Sequence, residues 1–140
     1  MTDPPPTPAG LKEMLWLFFS PSGRISRQVY WLSFAVVLSV MFVLGRAWEA
    51  SLVIETNPDS TLQELRMTGA SINVLLSILP FEWSAVVLIA KRCRDHGWSG
   101  IAALVWMVPF ANLLFALYMG LVPGDPGSNR FGPGPDRPSY

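Results

Sequence analysis

The chain has 140 residues, 51% apolar and 14% charged, and its ten basic side chains balance ten acidic ones. That length allows one domain at most; the apolar composition, with positive mean hydropathy, argues against a water-soluble globule, and zero net charge removes the electrostatic case for nucleic acid as a partner. A single cysteine, Cys93, excludes an internal disulfide.

Met1–Gly10 holds four prolines and little to bury, so residues 1–10 read as a disordered leader. Residues 11–122 read as a membrane domain. Leu11, Met14, Leu15, Phe18 and Phe19 fall on one helical stripe, with Lys12 and Glu13 off it and Pro21 beyond. A short amphipathic helix over 11–19, lying in the membrane interface, is expected.

Three long uncharged stretches follow. Gln28–Gly45 carries no charge over 18 residues, Met67–Ala90 carries only Glu82 in 24, and Gly97–Gly124 carries none in 28. Crossing a bilayer core takes roughly 20 apolar residues, so the expected fold class is an all-α, multi-pass helical bundle with spans over 29–54, 67–90 and 98–122. Tyr30 and Trp31 at one end of the first span and Trp48 at the other suit the two headgroup levels. Arg46 and Glu49 are spaced to pair on one helix face. The connection that follows is acidic, and "TLQE" (Thr61 to Glu64) has capping-box spacing, placing a helix start ahead of the second span. Pro80 interrupts that span. Pro109 interrupts the third, where "PFAN" (Pro109 to Asn112) offers an alternative: a re-entrant hairpin that returns Arg130 and Arg137 to the side it came from. Length favours three spans. From Pro123 onward nine of 18 residues are Pro or Gly, so 123–140 reads as a turn-forming tail.

Basic residues are retained on the cytoplasmic side. Lys12, Arg24 and Arg27 precede the first span, and Lys91, Arg92 and Arg94 follow the second. Glu49, Glu55, Asp59 and Glu64 outnumber Arg46 and Arg66 between them. The amino terminus and the "KRCRDH" segment are therefore expected to face the cytoplasm.

That segment, "KRCRDHGWSG" (Lys91 to Gly100), is the densest chemistry in the chain. Cys93 and His96 supply two ligands where zinc needs three or four, so no metal is implied. Ser99 lacks the glycine spacing of a nucleophile elbow. Nothing calls for a cofactor or a catalytic residue. As a topology signal the basic cluster stops translocation, with Trp98 an interface anchor and Gly97 and Gly100 making the turn. A sharper reading joins Arg24, Arg27, Tyr30 and Trp31 to Lys91, Arg92, Arg94, Asp95 and Trp98 in a pocket for an anionic lipid headgroup or a membrane partner. Glu82 is an intramembrane carboxylate, with Asn73 and Asn112 as candidate polar neighbours. Small residues four apart, Ala35 with Ser39 and Ala116 with Gly120, permit close helix contact or self-association.

Three blocks, "SGRISRQVYW" (Ser22 to Trp31), "KRCRDHGWSG" and "PGDPGSNRFGPGP" (Pro123 to Pro135), resemble in order and spacing the bacterial domain-of-unknown-function family numbered 805. The resemblance covers about residues 11–135. It implies a small inner-membrane protein and matches Gly23, Arg24, Arg27, Tyr30 and Trp31; Arg92, Asp95, Gly97, Ser99 and Gly100; and Pro123, Gly124, Gly127, Asn129, Arg130, Phe131 and Gly132. Where the family usually has histidine before the aspartate this chain has Arg94, and Ile101 replaces a frequent aromatic; His96 lies off the pattern. The family carries no activity to transfer. The tail glycines with Asp125 and Asn129 suit turns that would order it as a cap. The expected function is a non-enzymatic membrane module binding anionic lipid or a membrane partner; the alternative is a small oligomeric transporter or channel subunit working through Glu82 and Asn112.

Overall fold

A computed structural model describes residues 10–56, 63–66 and 69–137. The described chain is helical apart from one short ribbon. Helix α1 spans Leu11–Phe19, α2 Arg27–Ser51, α3 Gly69–Asp95 and α4 Ala111–Leu121, with a 3₁₀ segment at Gly100–Met107. The chain divides into two compact units, Met1–Phe34 with Trp83–Tyr140, and Ala35–Glu82.

The second unit holds the carboxyl-terminal part of α2, the amino-terminal part of α3 and the ribbon. Val53–Thr56 (β1) pairs antiparallel with Gln63–Arg66 (β2), Val53 opposite Arg66 and Thr56 opposite Gln63. β-branched residues at 53, 54 and 56 favour an extended backbone. The ribbon adds to the expected all-α architecture without displacing a helix; the expected capping box is corrected, because Gln63 and Glu64 belong to β2, while Thr61 and Leu62 lie outside the described residues. The expected Arg46–Glu49 ion pair forms on the exposed face of α2. Ser39 Oγ donates to Ala35 O of its own helix at 2.8 Å.

α2 and α3, of 25 and 27 residues, are the two described helices long and apolar enough to cross a membrane. Their most apolar windows are only 22% and 28% buried. A core helix of a soluble protein would be covered; these present Leu32, Val36, Phe42, Leu76 and Leu79 to the outside. Pro80 sits within α3 without ending it.

The third apolar run is not one helix, so the span expected over 98–122 is corrected. Its 3₁₀ arm, at ~2.0 Å per residue, and α4, at ~1.5 Å per residue, each reach about 16 Å, half of a roughly 30 Å hydrocarbon core. Between them Val108–Phe110 reverses the chain, with Ala111 N donating to Pro109 O at 2.8 Å and Phe110 at φ +66°. Two observations make this a hairpin rather than a bent span. The arms pack on each other, and the residues beyond α4 return to the start of the run, Asp125 N donating to Asp95 O at 2.7 Å.

The first unit has its own core: Trp16, Ile25, Tyr30, Phe34, Val87, Leu88, Cys93, Ala103, Ala116 and Met119 are buried. Tyr30 stacks on Phe34 at 5.2 Å between ring centroids, and Phe34 meets Trp106 edge-on at 5.5 Å.

Candidate functional site

α3 continues past the apolar run, so Lys91 to Asp95 are its last turn and not a loop. It stops where the sequence demands. Trp98 N donates to Cys93 O at 2.9 Å and Gly97 N to Arg94 O at 3.0 Å, with Gly97 at φ +72°. This is a Schellman cap, whose left-handed residue favours glycine. Ser99 then opens the 3₁₀ segment, its hydroxyl accepting from Ile101 N.

The helix end carries buried charges that all have internal partners. Arg24, from the loop between α1 and α2, is 1% exposed. Its Nε and Nη2 donate to Asp95 Oδ1 at 3.1 and 2.9 Å, its Nη2 also to Asp125 O at 2.8 Å, and its Nη1 to Gly127 O at 2.7 Å and Gly132 O at 3.3 Å. All five guanidinium N–H groups are engaged. Arg92, equally buried, pairs with Asp95 Oδ2 and donates to Met119 O at 2.8 Å and Val122 O at 2.5 Å. Those carbonyls belong to the end of α4, where no intrahelical donor is left for them, so Arg92 both caps that helix and complements its dipole. Lys91 does the same for α1: its Nζ donates to Trp16 O and to Leu17 O and sits 3.5 Å above the Trp16 ring. Trp83 Nε1 adds a bond to Phe19 O at 3.2 Å.

Tyr30 and Trp31, expected at the headgroup level, also have inward partners. Tyr30 Oη donates to Ala116 O at 2.9 Å and Trp31 Nε1 to Gly120 O at 3.0 Å, clamping α4 against α2. The small pair Ala116 and Gly120 is what admits them, because a Cβ at Gly120 would overlap the Trp31 ring.

The tail is tied down along its described length. Asn129 Nδ2 donates to Arg94 O at 2.8 Å and to Asp125 Oδ2 at 2.9 Å, while its Oδ1 accepts from Phe131 N in an Asx-type turn. Arg130 donates to Gly97 O at 2.9 Å and lies over the Phe131 ring, with Arg94 6.0 Å from the same ring. Asp136 Oδ1 accepts from Ser26 N, and Asp136 N donates to Arg24 O. Asp95 and Arg92 crowd Gly124 so closely that a side chain there has no room.

The nine residues expected to form a headgroup pocket are not all placed on one exposed face. Arg24, Lys91, Arg92 and Asp95 are brought together, but inside, with internal partners. Arg94 is half-buried, and Trp98 is exposed near Tyr118, 6.2 Å between centroids. Arg27 alone among the expected arginines is exposed with no hydrogen bond or ion pair to other described residues. It opens α2 and lines a groove of about 470 Å³ with Gln28, Trp31 and Leu32. Glu82 is half-buried, Asn73 exposed, and Asn112 half-buried with its Oδ1 accepting from Leu113 N at 2.7 Å. Cys93 is buried against Met119 Sδ, whereas both His96 ring nitrogens face carbonyl oxygens, Arg92 O at 2.7 Å and Val122 O at 3.0 Å. The two therefore do not share a ligand site.

Trp16, Ser26 and Asp136 were not singled out by the sequence. Trp16 lies off the apolar stripe of α1, a signal that was available; Ser26 and Asp136 carry none.

Residues 18–133 match the family described as protein of unknown function (DUF805). The inner membrane protein YhaH of Escherichia coli K12 is 33% identical over 115 residues, 81% of this chain and 84% of the relative. The protein of the same name from E. coli O157:H7 gives the same figures. No solved structure matches the chain. With nearly its whole length matched, including all three blocks that meet at Asp95, the chain belongs to the DUF805 family.

Proposed function

We propose that this protein is a non-enzymatic module of the bacterial inner membrane that holds a phospholipid by its phosphate at Arg27. The location is supported by two apolar helices left largely uncovered and by relatives named as inner membrane proteins. In this arrangement α2 and α3 cross the bilayer, and the 3₁₀–α4 hairpin enters and leaves on the cytoplasmic side. The amino terminus and tail share that side, where the basic residues collect. α1 lies in the same interface: Leu11, Met14, Leu15 and Phe19 are about half exposed or more, while Trp16 on the opposite face is held by Lys91.

The groove at Arg27 carries the lipid reading. It joins an unpaired guanidinium to an indole and an exposed leucine at the end of an apolar helix. A planar guanidinium takes phosphate oxygens two at a time, and the indole and leucine suit the glycerol and upper acyl chain. The test is native mass spectrometry of protein released from lipid nanodiscs. Arg27→Gln is expected to lower retained phospholipid severalfold, while Arg46→Gln, at the other end of α2, leaves it unchanged. Equal retention by Arg27→Gln and the parent protein would remove the reading.

A further inference from the structure

Arg27 lines a second cavity as well, of about 310 Å³, on the tail side. The chemistry of this space is opposite to that of a simple anion site. Pro123, Pro126 and Pro135 form part of its wall, and proline offers carbonyl oxygen but no N–H. Asp125 also lines it and is exposed; its Oδ2 accepts from Asn129, and its Oδ1 has no donor among the described residues. Asp136, at the neighbouring Ser26, adds another carboxylate. Arg92 and Asp95 line the floor, but their charges are engaged with each other, with Arg24 and with α4 carbonyls. Among the described residues lining this space, the free groups are therefore one cation, Arg27, between the two cavities, and the Asp125 carboxylate beyond it.

From this we infer that the lipid held at Arg27 is one whose phosphate carries a primary ammonium on a short arm, as in phosphatidylethanolamine, with the ammonium in the cavity beside Asp125. The inference rests on the Arg27 reading and makes it more specific. A headgroup that is anionic or neutral beyond its phosphate leaves the Asp125 carboxylate without a counter-charge; an ammonium supplies one in a charge-assisted hydrogen bond.

The experiment uses the full chain in nanodiscs of equal phosphatidylethanolamine and phosphatidylglycerol, with bound lipid read by native mass spectrometry. Phosphatidylethanolamine is expected to exceed phosphatidylglycerol by roughly two- to fivefold in the bound fraction, the factor an exposed ion pair supplies. Replacing it with N-acetylated phosphatidylethanolamine, which has lost the charge, should abolish the advantage without altering the protein. Asp125→Asn should abolish it, as read in the ratio of the two bound lipids. If phosphatidylglycerol equals or exceeds phosphatidylethanolamine, or the N-acetylated lipid binds as well, the inference is overturned; Arg27-dependent retention without headgroup preference leaves the phosphate reading standing. Loss of all retained lipid removes both. Glycerophosphoethanolamine added in excess separates the sources: displacement of lipid by this soluble compound would assign the site to a free phosphoamine and overturn the lipid assignment.

Discussion

Asp95→Asn is the most direct test of how the three sequence blocks are held together. The carboxylate accepts two N–H groups from Arg24 on Oδ1 and one from Arg92 on Oδ2. Asparagine keeps the size, removes the charge and turns one of those oxygens into an NH₂ donor. Whichever way the amide is placed, a donor faces a guanidinium donor. Two arginines, each 1% exposed, are left without a counter-ion. Removing one partner of a buried ion pair costs about 3–5 kcal/mol, a large share of a total stability of roughly 5–15 kcal/mol. The assay is reversible unfolding in mixed micelles of rising denaturing-detergent fraction, followed by tryptophan emission, for Asp95→Asn, Arg24→Gln and the double variant. Each single change is expected to cost several kcal/mol, and the double variant to cost less than their sum by at least ~1 kcal/mol, as residues in one network do. An Asp95→Asn protein within about 1 kcal/mol of the parent, or strict additivity, would refute the account of this cluster.

Three further outcomes follow from the same geometry. Gly120→Ala places a methyl group 2.6 Å from Trp31 Cε2; such overpacking should cost about 1–3 kcal/mol in the same unfolding assay. Lys91→Met leaves the carbonyls of Trp16 and Leu17 without their side-chain donor, so α1 should loosen. Faster tryptic cleavage after Lys12 and a red shift of Trp16 emission would register it. Cys93 is buried and should resist impermeant thiol reagents in the folded protein. Against that background, Ser128→Cys and Lys12→Cys should both label from the cytoplasmic side alone. Periplasmic labelling at position 128 would restore a third span.

The two long apolar helices were legible because apolar length is a property of sequence. Gln28–Gly45 lies within α2, and residues 69–90 of the second run lie within α3. The hairpin was only half legible. Pro109 marks the break, yet the reversal depends on Phe110 adopting a positive φ at the centre of a γ-turn, a rare and strained conformation for an L-residue that has no sequence signature. A 28-residue uncharged run reads more simply as a span. The basic residues were found but given the wrong surroundings. Asp95, three residues after Arg92 on the same helix face, was the available sign that the charge is answered internally. The remaining acceptors, the carbonyls of Met119, Val122, Gly127 and Gly132, are backbone atoms, and a sequence does not show which of them lack donors.

Those carbonyls explain why arginine and lysine gather at this end of the molecule. A helix that stops inside or at the edge of a bilayer leaves its last carbonyls without donors, and lipid offers none in exchange. In the proposed arrangement α1 and α4 both stop there. Lys91 reaches the end of α1, Arg92 the end of α4, and Arg24 the carbonyls of the returning tail. Lipid also supplies little hydrophobic drive for packing helices together, so these bonds, with those of Tyr30 and Trp31 to α4, are what attach the hairpin. The positive charge that would fix topology during insertion is then the same charge that closes the chain ends. Unlike Arg24, Lys91 and Arg92, Arg27 is exposed and reaches no carbonyl or carboxylate among the described residues, and that leaves it available to a ligand.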